Sequence, residues 1–308
     1  MKNYFRIMLG RGSKHAQVCF EGDFIGADFG MHFTFENNLP DNWRDFNKKY
    51  IPVFMDQNPE KTKIAAGLAC GALHTICKWI SKDDIVLCPD GSGNYYVGEI
   101  IGDYFYKEGD VLPHRRTVKW YPKSIARSAM SQSLQHSTGS IGTVSNVSKY
   151  VDEIESLIAD NRPSMIVATD ETIEDPIVFA LEKHLEDFLV KNWNQTVLGN
   201  NYEIYQEDGE LVGQQYPSDT GPIDILAVSK DNTEILVVEL KKGRASDVAV
   251  GQLQRYMGYV KDELCEDNQS VKGVIIALED DLRIKRALSV TTNIEFYSYK
   301  VDFKLNKN

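Results

Sequence analysis

Apolar and polar positions alternate most regularly in the second half of the chain. Ile223–Val228 and Glu234–Leu240 have the pattern of strands, and the turn Lys230-Asp231-Asn232-Thr233 between them predicts a hairpin. Tyr202–Gln206 precedes them as a further strand, Val271–Leu278 follows as a strongly apolar one, and Ile294–Leu305 alternates again. Elsewhere the period lengthens to that of a helix. Asp175-Pro176 supplies an N-cap and a first-turn proline for a helix running to about Trp193, with Val178, Leu181, Leu185, Phe188 and Leu189 as its apolar stripe. Ser246–Leu264 and Asp280–Ser289 are further helices. A hairpin followed by a helix and a parallel strand predicts an α/β domain on a mixed sheet flanked by helices.

The first half has shorter elements. Ile85–Leu87 and Tyr95–Ile101 flank the turn Pro89-Asp90-Gly91-Ser92-Gly93-Asn94, and Thr117–Tyr121 alternates as another strand. Ala65–Ile80 carries Leu68, Ala69, Ala72, Ile76 and Ile80 at helical spacing. Ser145–Ala159 predicts a closing helix, which Asp160-Asn161-Arg162-Pro163 ends. The expected organisation is an α+β domain over 1–160, built on a small curved sheet or barrel, a linker over 161–174, and the α/β domain over 175–308.

Composition narrows the class. A chain of 308 residues, 42% hydrophobic and 26% charged, suits two globular domains. No apolar run approaches the ~18 residues of a membrane span, and Met1–Gly12 has no signal-peptide pattern, so a cytoplasmic protein without membrane contact is expected. The five cysteines form no C-x-x-C pair, which argues against a zinc site or a disulfide framework. The formal charge of −11 is concentrated in the second half: residues 161–308 hold 16 basic and 26 acidic side chains, against 18 and 19 in residues 1–160. This is not the bulk signature of a nucleic-acid binder. Charge acts locally, however, within about 8–10 Å, and Lys107–Arg127 holds six basic residues against two acids.

The chemistry-bearing pattern lies in the predicted hairpin. Asp224 interrupts an apolar strand. Glu239 and Lys241, two residues apart, share one face of the next, while Leu240 points to the other. Hairpin pairing brings Asp224 beside Glu239, so two carboxylates and a lysine converge next to the Leu240 carbonyl. Charges inside apolar strands are costly unless paired or metal-bound. Phosphodiester hydrolysis needs such a set: oxygen ligands for a hard divalent cation and a cation to hold developing charge. The alternative is a solvated strand end with a Glu239–Lys241 ion pair.

The ordered set G-P-I-D-I-L, E-L-K and Q-L-x-x-Y resembles the PD-(D/E)xK nuclease superfamily, and within it the NucS-like endonuclease domain, over about Asp175–Leu305. The resemblance extends to Glu182 and Glu186 in L-E-K-H-L-E-D-F-L and to Gly213–Pro217. It implies a magnesium-dependent endodeoxyribonuclease, with manganese as an alternate ion. Asp224 and Glu239, with the Leu240 carbonyl, would hold the metal, and Lys241 would be the catalytic lysine. Glu186 would lie near the metal, directly or through water; Gln252 and Tyr256 would line the site, and Gln215 would face it. Gln214-Gln215 departs from the more charged pair expected there, which leaves that segment's role open. Lys242 and Arg244 are phosphate contacts or plain surface residues. Double-strand cutting implies a homodimer.

In the first half, Tyr104–Tyr106 and Leu112–Trp120 mix aromatic and basic groups, which suits nucleic acid. The segment resembles PUA-like, EVE-like sensor domains of modification-dependent restriction enzymes. That resemblance implies a flipped, modified base held among Trp43, Tyr104, Tyr106 and Trp120, with His114, Arg115, Arg116 and Lys119 against DNA. The alternatives are core aromatics and a solvated turn. Gly10-Arg11-Gly12-Ser13-Lys14 lacks the spacing of a nucleotide-binding loop. Together the readings predict restriction of modified duplex DNA or phage defence. The alternatives are a NucS-like repair nuclease acting on mismatched, branched or single-stranded DNA, and a non-cutting nucleic-acid binder.

Overall fold

The computed structural model describes residues 2–139, 142–159 and 185–299. The predicted linker at 161–174 and the first part of the helix predicted from Asp175, including Glu182, lie outside the described residues. The chain divides into two compact units, Met1–Thr169 and Asp170–Asn308.

The first unit runs β1 (Tyr4–Ile7), α1 (Ala16–Glu21), β2 (Phe24–Ala27), α2 (Trp43–Gln57), α3 (Lys63–His74), β3 (Ile85–Pro89), β4 (Asn94–Tyr106), β5 (His114–Trp120), β6 (Ile125–Ala126), α4 (Gln132–Thr138), β7 (Val144–Asn146) and α5 (Val151–Ile158). Its sheet has the order β2-β5-β4-β3-β1-β7, with β6 on β4. The β3–β4 hairpin follows the predicted pattern, and its turn is held by Asp90 Oδ1, which accepts from the Ser92 and Asn94 amides at 2.8 and 3.0 Å.

Asn42 and Thr62 cap α2 and α3 by accepting from the Asp45 and Ala65 amides. The two helices approach closely at Gly71, where a Cβ would fall 2.4 Å from the Trp43 ring. The helix predicted over Ser145–Ala159 starts later than expected. Ser145 and Asn146 pair with Arg6 and Phe5 of β1, so long-range strand pairing overrides the local helical pattern.

The second unit consists of α6 (described over 185–191), β8 (Tyr202–Ile204), β9 (Gln214–Tyr216), β10 (Ile223–Ser229), β11 (Glu234–Arg244), α7 (Asp247–Tyr259), β12 (Ser270–Glu279), α8 (Leu282–Leu288) and β13 (Ile294–Ser298). The sheet order is β13-β12-β11-β10-β8, with β9 also on β10. β10 and β11 are antiparallel, while β11, β12 and β13 are mutually parallel. This is the mixed sheet expected from a hairpin, helix and strand in succession. Ile225, Ala227, Leu236, Val238 and Leu240 form one buried face with Trp193, Leu198 and part of α6. Alternation therefore sends Asp224, Glu239 and Lys241 to the opposite face, against which α7 packs.

Candidate active site

The hairpin register builds the centre. Ile225 stands opposite Val238, and one step further along the ladder Asp224 meets Glu239. Asp224 Oδ2 accepts from the Leu240 amide at 2.7 Å. Within a strand, a residue's N–H and C=O share one edge, so the Leu240 carbonyl faces the Asp224 side as well. Lys241 Nζ lies 2.8 Å from Glu239 Oε1. Tyr256, buried on α7, sits within electrostatic reach of Glu239, Asp224 and Lys241, and its hydroxyl accepts from Gln252 Nε2 at 3.1 Å. The loop before β10 approaches from the same side. Gly221 has φ +128°, and a Cβ there would stand 3.2 Å from the Tyr256 hydroxyl, so glycine serves both the turn and the fit.

Burial, and then the neighbouring Glu239 carboxylate, push the Asp224 carboxyl up to about 7. The Leu240 amide, Lys241 and Gln215 oppose the shift. Two carboxylates forced together away from water are electrostatically incomplete, and a hard cation would relieve them. Asp224, Glu239 and the Leu240 carbonyl are the oxygen donor set that suits such an ion. Among the described residues, no group of three or more His, Cys, Asp or Glu is placed to hold a metal. Glu186, expected near the metal directly or through water, lies behind the centre. Its buried carboxylate accepts from Gln214 Nε2 at 2.6 Å and Gln215 Nε2 at 2.7 Å, and Gln215 Nε2 also reaches Asp224 Oδ1 at 3.2 Å. Glu186 is thus one amide removed from the centre.

Two participants had no assigned role in the sequence reading, Gln214 and Asp187; Gln214 Nε2 lies 3.2 Å from Asp187 Oδ1. Gln214 was marked by the departure of the Gln-Gln pair from a charged one, which does not show where the side chains turn, and Asp187 carried no mark. The Lys242 side chain lies outside the described residues. Arg244 is exposed and pairs with Glu279 at 3.2 Å.

The candidates of the first unit do not form one site. His114 is fully buried, with Nε2 2.7 Å from the Met31 carbonyl and Nδ1 3.0 Å from the Tyr104 hydroxyl. Arg115 is buried over the Phe24 ring, donates to the Leu112 and Val111 carbonyls and pairs with Asp110. Arg116 is buried and donates to the carbonyls of Ile76, Gly102 and Cys77. These three were expected against DNA; instead the interior takes them, because backbone carbonyls satisfy their donors.

Two of the four aromatics gather at His114, and the other two do not. Trp43 is buried beside His74 and Trp79. Half-buried Tyr104 and Tyr106 flank His114. Half-buried Trp120 meets Phe20 and Tyr96, and its indole N–H donates to Cys19. Lys119 is exposed.

Comparison with known proteins divides along the same line. Residues 181–303 match the Endonuclease NucS C-terminal domain, and residues 5–148 match a domain of unknown function, DUF8426. Endonuclease NucS of Methanocaldococcus jannaschii is 35% identical over 77 residues, 25% of this chain and 28% of that protein. Endonuclease NucS of Corynebacterium glutamicum is 35% identical over 109 residues, 34% of this chain and 41% of that one. The chain thus matches less than half the length of these relatives. A solved complex of EndoMS with double-stranded DNA overlays with a TM-score of 0.33 and 16% identity, covering 68% of this chain and 63% of that one. No helix among the described residues is long and apolar enough to cross a membrane.

Proposed function

We propose that the protein is a metal-dependent DNA endonuclease whose second unit hydrolyses phosphodiester bonds. The observation that carries this reading is the meeting of Asp224, Glu239 and Lys241 on one face of one hairpin, within a stretch matched by the NucS C-terminal domain. Asp224, Glu239 and the Leu240 carbonyl would hold magnesium, or manganese in its place. When bound, that ion supplies the Lewis acid that polarises a phosphate and lowers the pKa of a water. Lys241 is placed to orient the nucleophile or to hold charge on the scissile phosphate. Tyr256 and Gln252 wall the site on the α7 side.

The NucS relatives favour a repair substrate, mismatched, branched or single-stranded DNA, over restriction of modified DNA. The burial of His114, Arg115, Arg116 and Trp43 weakens the modified-base reading further, since it removes four of the residues that reading used. The PUA-like assignment of the first unit rests on sequence resemblance. For its contact with DNA, exposed Lys119 and half-buried Tyr104, Tyr106 and Trp120 are the remaining members of the basic-aromatic run. A homodimer would bring two sites to the two strands of a duplex.

The test is cleavage, with magnesium, of a panel of mismatched, flapped, single-stranded, methylated and hydroxymethylated DNAs, with Asp224→Ala as control. Cutting of the mismatched or branched members alone, absent in the control, supports the repair reading. Cutting confined to one modification class would replace it with restriction.

A further inference from the structure

Two consecutive glutamines hold the acidic side chains of this site together. Gln214 Nε2 donates to Glu186 Oε1 at 2.6 Å and lies 3.2 Å from Asp187 Oδ1. Gln215 Nε2 donates to Glu186 Oε2 at 2.7 Å and to Asp224 Oδ1 at 3.2 Å. Each amide nitrogen carries two hydrogens, so each serves two acceptors at once. Three carboxylates, two on α6 and one on β10, are thereby tied to one another through two neutral amides.

The backbone makes this arrangement work. β9 keeps regular register with β10, with Gln214 opposite Ile225 and Tyr216 opposite Ile223. Side chains of Gln214 and Gln215 in an ordinary strand would point to opposite faces and could not both reach one carboxylate. Gln215 instead has φ +53°, in the left-handed region that a glutamine rarely adopts. Strain of this kind persists where the surroundings hold it, and it collects at functional sites. Here it turns the Gln215 amide so that both oxygens of Glu186 are held, while the same nitrogen reaches across to Asp224.

We infer that Gln214 and Gln215 are positioning residues, which fix Glu186 and orient the Asp224 carboxylate that the proposed site presents to a divalent cation. This inference rests on the metal-dependent reading above. Groups that orient metal ligands from behind typically change metal affinity by about 10–100-fold when removed.

The experiment is calorimetric titration of the full chain with manganese chloride, comparing the wild type with Gln215→Gly, Gln215→Met and Asp224→Ala. Glycine accepts the left-handed φ and removes the amide, so that variant keeps the turn. Methionine keeps the bulk and loses the donors. Thermal midpoints in divalent-free buffer establish that each variant is folded. The expected result is binding by the wild type, loss of binding in Asp224→Ala, and affinities about 10–100-fold weaker in both Gln215 variants. A merely structural glutamine would lower the midpoint of the methionine variant and leave the affinity of the folded protein unchanged. Wild-type affinity in both Gln215 variants overturns the positioning role alone. No binding by the wild type overturns the metal-dependent reading and this inference with it.

Discussion

The Lys241 ammonium lies 2.8 Å from Oε1 of Glu239, and the glutamate is 2% exposed while the lysine is 31% exposed. The pair is therefore anchored by a buried anion and open on its cationic side. Removing the lysine strands a charge in the interior, which costs more than losing a surface pair and less than breaking a fully buried one. For Lys241→Met we expect a loss of about 1–3 kcal/mol of stability by urea denaturation. DNA cleavage should fall by at least about 100-fold, because the same ammonium is the site's charge stabiliser.

Asp224 gives a pH dependence of definite sign. Its carboxyl is raised from 3.8 to about 7 in the folded chain, by burial first and by Glu239 second. Between these values the folded protein keeps a proton that the unfolded chain has released, so folding stability falls as pH rises through the window. In divalent-free buffer, Asp224→Asn should show a shallower fall than the wild type and a higher thermal midpoint at pH 8. Equal midpoints for the two proteins at pH 5 and pH 8 would contradict the assignment.

His114 predicts the opposite slope for the first unit. Burial lowers its imidazole from 6.5 to about 4, and burial lowers His74 in the same direction. Here the unfolded chain takes up protons that the folded chain refuses, so stability is lost as pH falls from about 6.5 toward 4. Acid unfolding followed by tryptophan fluorescence should lose part of this slope in His114→Gln.

Arg116 and Lys119 separate interior from surface within one strand. Arg116→Ala removes three donations to the carbonyls of Ile76, Gly102 and Cys77. Stranding those groups should cost about 2–4 kcal/mol of stability. Lys119→Ala should leave stability within about 0.5 kcal/mol. If β5 meets DNA, it should also weaken binding and reduce its salt dependence. Thermal melts and binding isotherms at two salt concentrations check both.

The centre of the site was legible because it is local. An aspartate inside an apolar strand, followed by a hairpin and Glu-x-Lys, places three charges by periodicity alone. What surrounds it was not legible in the same way. Gln214 and Gln215 act together through one left-handed φ, which no pattern of residue types announces. His114 and Arg116 looked like surface because their partners, the carbonyls of Met31, Ile76 and Cys77, are distant in sequence. The short strand β1 pairs in parallel with β3 some eighty residues on, so its place depended on topology. The helix α2 was missed for a local reason, as its charged residues and internal Pro52 dilute the apolar stripe.

The most direct measurement is magnesium-dependent cleavage of mismatched and branched DNA by the wild type and by Glu239→Ala, with DNA binding followed in parallel. The account predicts cleavage by the wild type, and retained binding with abolished cleavage in the variant. Full cleavage by Glu239→Ala would contradict it, since no hydrolytic centre could then depend on the Asp224–Glu239 pair.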